Sequence, residues 1–177
     1  MSFIVCPEQE TGALERAAEL ICMAARTAPK GKGKDLLATA IVNGEEKRLI
    51  TDRMRLIAQR EQMPFFERDA GNVDASPVLL LFGSRKEPLL LPCCGFCGFA
   101  DCEAMEAAGG TCSFNTIDLG IAVSSAAARA SDLRLDNRIM FTAGKAVLEL
   151  GLLGPEVQIA LGLPLSVTGK SPFFDRK

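Results

Sequence analysis

The chain contains no histidine, no tyrosine and no tryptophan. Without imidazole there can be no Ser–His or Cys–His nucleophile pair. Zinc sites that rely on imidazole nitrogen are excluded for the same reason. Phenylalanine, which occurs 10 times, is the sole aromatic residue able to line a site. No apolar run approaches the roughly 20 residues that a membrane-spanning helix needs. The opening residues, Met-Ser-Phe-Ile-Val-Cys-Pro, lack the basic start and long apolar core of a secretory signal, so the expected compartment is the cytoplasm. A net charge of −2 gives no general attraction to nucleic acid or to an anionic membrane, and neither is expected as a partner. Redox or acid–base chemistry must therefore come from thiols, carboxylates, lysines, the backbone or a cofactor.

What the chain does have is cysteine. There are 7 in 177 residues, and Cys93, Cys94, Cys97, Cys102 and Cys112 fall within one short stretch. In a cytoplasmic chain such a group reads as a metal or redox site rather than a disulfide framework. The length suits one domain, residues 1–177, with a Cys-rich segment at 92–115. At 48% hydrophobic residues the chain can bury a core without covalent staples.

Hydrophobic periodicity predicts the scaffold. Leu14, Ala18, Ile21 and Ala25 recur at helical spacing and predict a helix over 11–27, stopped by Pro29 and the Lys-Gly run that follows. Residues 36–42 predict a buried strand. Asn43 is placed to cap a helix over about 45–62, which Pro64 ends. The stretch 65–77 reads as a loop with a short helical turn. Residues 78–83, continuously apolar between Pro77 and Gly83, give the clearest strand signal. Beyond the cysteines, 116–131 predicts a helix rich in small residues, 137–151 a further helix, 157–161 a last strand, and 169–177 an extended arm. Interspersed helices and strands favour a mixed domain with helices on a central sheet.

Counted from Cys94 the cysteine spacing is C-x2-C-x4-C-x9-C. Four thiolates are the usual ligand set of an iron–sulfur cluster. Gly95 and Gly98 follow the first two cysteines, where left-handed backbone lets a short loop present two sulfurs in one direction. Phe96 and Phe99 stand ready to screen the site from water. The expected metal ligands are Cys94, Cys97, Cys102 and Cys112. Zinc in the same thiolates is the main competitor, although structural zinc sites usually pair two short knuckles and this segment has one. Buried reduced thiols are the plain structural alternative. Cys93 is a bystander, an alternative ligand or a redox thiol, and Cys22 is expected to pack on the first helix.

The segment CGFCGFADC (94–102) with its later cysteine resembles the four-iron motif of corrinoid iron–sulfur proteins. More extensively, AARTAPKGKGKD (24–35), FFERDAGNV (65–73), IDLGIAVSSA (117–126) and DNRIMFTAG (136–144) resemble an uncharacterised prokaryotic family described as containing a ferredoxin-type domain. This resemblance implies a 4Fe–4S cluster. A weaker resemblance, carried by Ala24-Ala25, Ala28-Pro29 and Ala160-Leu161-Gly162-Leu163-Pro164, runs to nitroreductase-like flavoproteins. It implies an α+β, nitroreductase-like sandwich, a homodimer and an FMN cofactor. The motif positions expected to contact flavin are Lys30 and Gly33 here, which departs from that pattern.

Lys30, Gly31, Lys32 and Gly33 form a cationic, flexible loop that could contact a cofactor phosphate; a solvated turn is the alternative. Asp69, Asp118, Asp136 and Arg138 read as structural, with Asp118 favouring a helix N-terminus and Asp136 pairing with Arg138. The function expected is that of an iron–sulfur redox protein, an oxidoreductase if it is an enzyme, with no catalytic residue, substrate or redox partner named. The rival expectations are a zinc-stabilised interaction module and a nitroreductase-like flavoenzyme.

Overall fold

The computed structural model describes residues 6–174. Its elements in chain order are α1 (Cys6–Thr27), β1 (Leu37–Val42), α2 (Gly44–Glu61), α3 (Pro64–Asp74), β2 (Val78–Arg85), α4 (Cys102–Ala107), α5 (Ser113–Asp132), β3 (Asp136–Asn137), α6 (Phe141–Leu150) and β4 (Val157–Ser166). The strands form one antiparallel sheet in the order β1-β2-β4-β3.

The central strand explains the layering. In β2, Val78, Leu80 and Phe82 point to one face, and Leu79 and Leu81 to the other. The first set packs against Leu14, Ala18 and Ile21 of α1 and Leu119, Ala122 and Val123 of α5. The second packs against Ile50, Met54 and Ile57 of α2, Val73 of α3 and Ala143, Ala146 and Val147 of α6. A strand buried on both faces has no polar side to show, so it reads as an unbroken apolar run rather than an alternation. The result is the α+β sandwich expected, with helices on both sides of the sheet. None of the described helices is long and apolar enough to cross a membrane.

Several local expectations need correction. Pro64 ends no helix by itself; it occupies the first turn of α3, where its missing N–H costs nothing. The stretch read as a loop is therefore an 11-residue helix. The helix expected over 137–151 begins only at Phe141, because Asp136 and Asn137 are drawn into pairing with Ser166 and Leu165. β4 continues through Pro164 to Ser166. The proline falls between the β3 pairing and the Met140–Gly162 bridge, where the missing donor breaks no ladder bond. In the arm, Phe173 is buried in the second core, and the last three residues of the expected extension lie outside the described residues.

Candidate metal centre

Between β2 and α5 the chain makes an excursion that belongs to neither large core. It has a small core of its own, made by Leu36, Leu89, Met105 and Cys112, with Leu91, Cys97, Phe99 and Phe114 packed against it. α4 was not foreseen. It starts where the Asp101 carboxylate accepts the Ala104 N–H at 2.8 Å, which is an ordinary N-cap and puts Cys102 at the first helical position.

The expected ligands are gathered on this excursion in two groups. Cys94, Cys97 and Cys102, together with Cys93, line a surface cavity of about 420 Å³ that also includes Leu91 and Asp101. Cys112 is not part of that lining; it is buried in the small core, at the N-cap of α5. Cys97 and Leu91 belong to both the cavity wall and the small core, so they connect the two groups. All of these thiols are free. Among the described residues, no three Cys, Asp or Glu side chains stand close enough together to hold a metal ion.

The backbone of the lobe has the expected character. Gly95 and Gly98 have φ of 60° and 82°, and the Gly98 N–H donates to the Gly95 carbonyl at 2.9 Å. A β-carbon would be strained at both. Cys93 and Leu90 also take left-handed φ, of 56° and 50°, although neither is glycine. Such backbone costs free energy and concentrates near functional sites. Cys112 stands where Ser, Thr, Asp or Asn would cap the helix well, and its side chain makes no capping bond. Phe96 is 71% exposed, and its ring stacks on Phe114 of α5 at 5.8 Å and 9°. Of the two phenylalanines expected to shield the thiols, Phe99 packs inward and Phe96 lies over the outside.

The Lys-Gly loop folds as a 3-10 turn, Gly31–Gly33, against this same excursion. Its charges are spent within the chain. Lys30 donates to the carbonyls of Arg26 and Ala28, Lys32 to that of Leu89 at 3.2 Å, and Lys34 pairs with Glu87. The Gly31 N–H donates to both oxygens of Asp118, at 3.1 and 3.0 Å. The anion on this loop is thus the chain's own carboxylate, and the cavity beside it, about 10 Å³, has room for roughly one water. Asp118 does more than favour a helix dipole: it ties α5 to the loop after α1.

Of two other side chains, one departs from expectation and one meets it. Arg138 does not pair with Asp136. Its guanidinium donates to the Phe173 carbonyl and lies 3.8 Å from Asp69, whose other oxygen accepts from Thr142 at 2.9 Å. Cys22 packs against the first core as expected, and burial pushes its thiol up to about 11 against the opposing pull of Arg26.

Comparisons with known proteins give the chain a family and a fold. A protein of Archaeoglobus fulgidus, described as uncharacterized, is 38% identical over 168 residues, covering 90% of each chain. A family described as "uncharacterized protein containing a ferredoxin domain" matches residues 108–176. The chain belongs to this ferredoxin-domain family. The matched stretch includes Cys112 and stops short of the other thiols of the excursion. In fold, the chain is similar to a putative nitroreductase in complex with FMN from Desulfovibrio desulfuricans, with a TM-score of 0.61 and 15% identity over 92% of this chain and 79% of that one. It is also similar to a nitroreductase with bound FMN from Desulfitobacterium hafniense, with a TM-score of 0.60 and 17% identity over 91% and 82%. At such identities the likeness concerns the fold alone. The ferredoxin-domain family member described here has a nitroreductase-like fold, with the Cys-rich excursion set between β2 and α5.

Proposed function

We propose that the protein is an electron carrier holding a four-iron iron–sulfur cluster on Cys94, Cys97, Cys102 and Cys112. The observation that carries this reading is that Cys94, Cys97 and Cys102 line one cavity, and that Cys97 also packs against the small core that holds Cys112. The donor set fits: soft thiolates with no competing imidazole in the chain. When bound, such a cluster takes up and gives back single electrons. The chain's own part is to hold and shield. Gly95 and Gly98 let the backbone turn tightly after the two leading ligands. Leu91, Phe99 and Met105 exclude water on the inner side, and the Phe96–Phe114 stack covers part of the outer side. Burial and hydrogen bonding around the thiolates are the means by which the protein tunes the potential.

A bound flavin is the second reading, supported by the FMN named with the two similar structures. The loop Lys30–Gly33 offers it little, because the lysines and the Gly31 N–H are already engaged.

Anaerobic reconstitution with iron and sulfide, followed by elemental analysis, visible absorption and electron paramagnetic resonance, tests the proposal. It expects about four iron and four acid-labile sulfide atoms per chain, with Cys97→Ser losing most of the visible absorption. One zinc per chain without sulfide would refute it in favour of a structural zinc module. A flavin released on denaturation, with no iron, would refute it in favour of the second reading.

A further inference from the structure

The excursion carrying the thiols leaves β2 after Arg85 and ends at Cys112, so its two ends must be brought together. The hydrogen bonds there converge on Asn115. This residue is 2% exposed and lies in the first turn of α5. Its amide nitrogen donates to the Glu87 carbonyl at 3.0 Å, and its amide oxygen accepts the Glu87 N–H at 3.4 Å. Its own backbone N–H donates to the Cys112 carbonyl at 3.0 Å. One residue thus holds the outgoing chain through its side chain and the last thiol through its backbone.

Other ties reinforce the same place. Lys86 donates to the Gly109 carbonyl at 3.1 Å, across the mouth of the excursion. Lys32 holds the Leu89 carbonyl and Lys34 the Glu87 carboxylate. Farther out the lobe is less constrained: Leu90, Cys93 and Phe96 are exposed. The excursion is fixed at its root and open at its rim.

We infer that Asn115 is the positioning residue of the thiolate site, setting where Cys112 stands relative to Cys97 and the rest of the lobe. An apolar residue here would leave the N–H and C=O of Glu87 without their partner at a part-buried position, and the root would loosen as those groups turn to water. Cys112 would stay with α5 while Leu89, Leu91 and Cys97 shifted with the outgoing chain. The metal-binding consequence rests on the proposed function; the thiol geometry does not.

The test measures both. In a metal-free full-length chain with every cysteine except Cys97 and Cys112 changed to Ala, a short bifunctional thiol reagent is used to bridge the two. Asn115→Leu, which keeps the branched shape of the side chain and removes its polar atoms, is expected to slow bridging about tenfold, since the reaction depends on proximity. Ser125→Ala, which breaks a side-chain bond to Ala24 between α1 and α5, serves as the control and is expected to leave the rate unchanged. In the reconstituted protein with all its cysteines, Asn115→Leu is expected to release iron to a chelator about 10–100-fold faster. Should Asn115→Leu fail to fold, Lys86→Met, which cuts only the exposed outer tie, is measured instead and is expected to slow bridging by a smaller factor. An unchanged bridging rate in the folded variant overturns the inference. If the unsubstituted protein takes up no iron, the cluster proposal fails, and the bridging rates still decide the role of Asn115.

Discussion

Replacing Gly144 by alanine probes the tightest backbone approach in the fold. Gly144 lies in α6 where that helix crosses β4. A β-carbon there would stand 1.8 Å from the carbonyl oxygen of Ala160, 2.3 Å from its carbon and 2.8 Å from the nitrogen of Leu161. A relaxed carbon–oxygen contact is about 3.3 Å or more, so α6 and β4 would have to part by roughly 1.5 Å. All three obstacles are backbone, so no side chain can rotate away. α6 also carries Ala143, Ala146 and Val147 in the second core, and any shift loosens them together. Overpacking of this kind costs about 1–3 kcal/mol, and the rigid obstacle puts Gly144→Ala at the upper end, near 3 kcal/mol. For a chain of this size that lowers Tm by about 6–12 °C.

The same substitution at Gly71 is the matched comparison. Gly71 is an exposed residue of α3, and nothing lies within 4 Å of its would-be β-carbon. There alanine removes backbone freedom from the unfolded chain and is expected to stabilise by about 0.5–1 kcal/mol. Urea unfolding followed by circular dichroism reads both, with a midpoint moving in opposite directions at an unchanged slope. A Gly144→Ala protein as stable as the unsubstituted one would refute the close packing of α6 on β4 and with it the energetic reasoning.

Other predictions address the ties around the excursion and the first core. Asp118→Ala removes the carboxylate from the Gly31 N–H and is expected to cost about 1.5–3 kcal/mol, whereas Asp118→Asn keeps a neutral acceptor and is expected to cost about 1 kcal/mol. Thermal unfolding of the two variants checks the order, and equal stabilities would refute a charge-assisted bond. Cys22, raised from an ordinary 9.0 to about 11, carries about a hundredth of the thiolate of an unperturbed cysteine at pH 8. Mass-mapped alkylation of the folded protein should therefore find Cys22 reacting about a hundredfold more slowly than after unfolding. Because its thiol ionises earlier in the unfolded chain, its contribution to stability is present below pH 9 and declines between pH 9 and 11.

Much of this protein is legible in its sequence. β2 declares itself because burial on both faces leaves a continuous apolar run. α1 declares itself through the spacing of Leu14, Ala18 and Ile21, since one face of a helix repeats every three to four residues. The cysteine spacing and the two glycines after Cys94 and Cys97 identify the excursion, because a short loop with left-handed turns is a local property of the chain. α4, which was not expected, nonetheless has a local signal, since an aspartate immediately precedes the short helical run.

What sequence could not supply is whatever depends on contacts between distant residues. Lys47 lies in a polar helical stretch and carries no local signal of its role. In the fold it is buried and donates to the carbonyls of Val73, Asp74 and Ser76, capping α3 from α2. From sequence, the lysines around Gly31 suit either a phosphate contact or a solvated turn, yet the Gly31 N–H is taken by the carboxylate of Asp118, 87 residues away. Arg138 passes over its near neighbour Asp136 for Asp69 and the Phe173 carbonyl. Asn115 carries no motif at all, and its role appears only when Glu87 is brought beside it. The reason is common to all four. Charge and hydrogen-bonding capacity are written in each residue, whereas the partner that satisfies them is chosen by how helices and strands pack. By itself the sequence determined that cysteines would be gathered in one segment; only the tertiary structure decided that Cys94, Cys97 and Cys102 share a cavity while Cys112 is buried in the small core, because that division follows from where α5 begins.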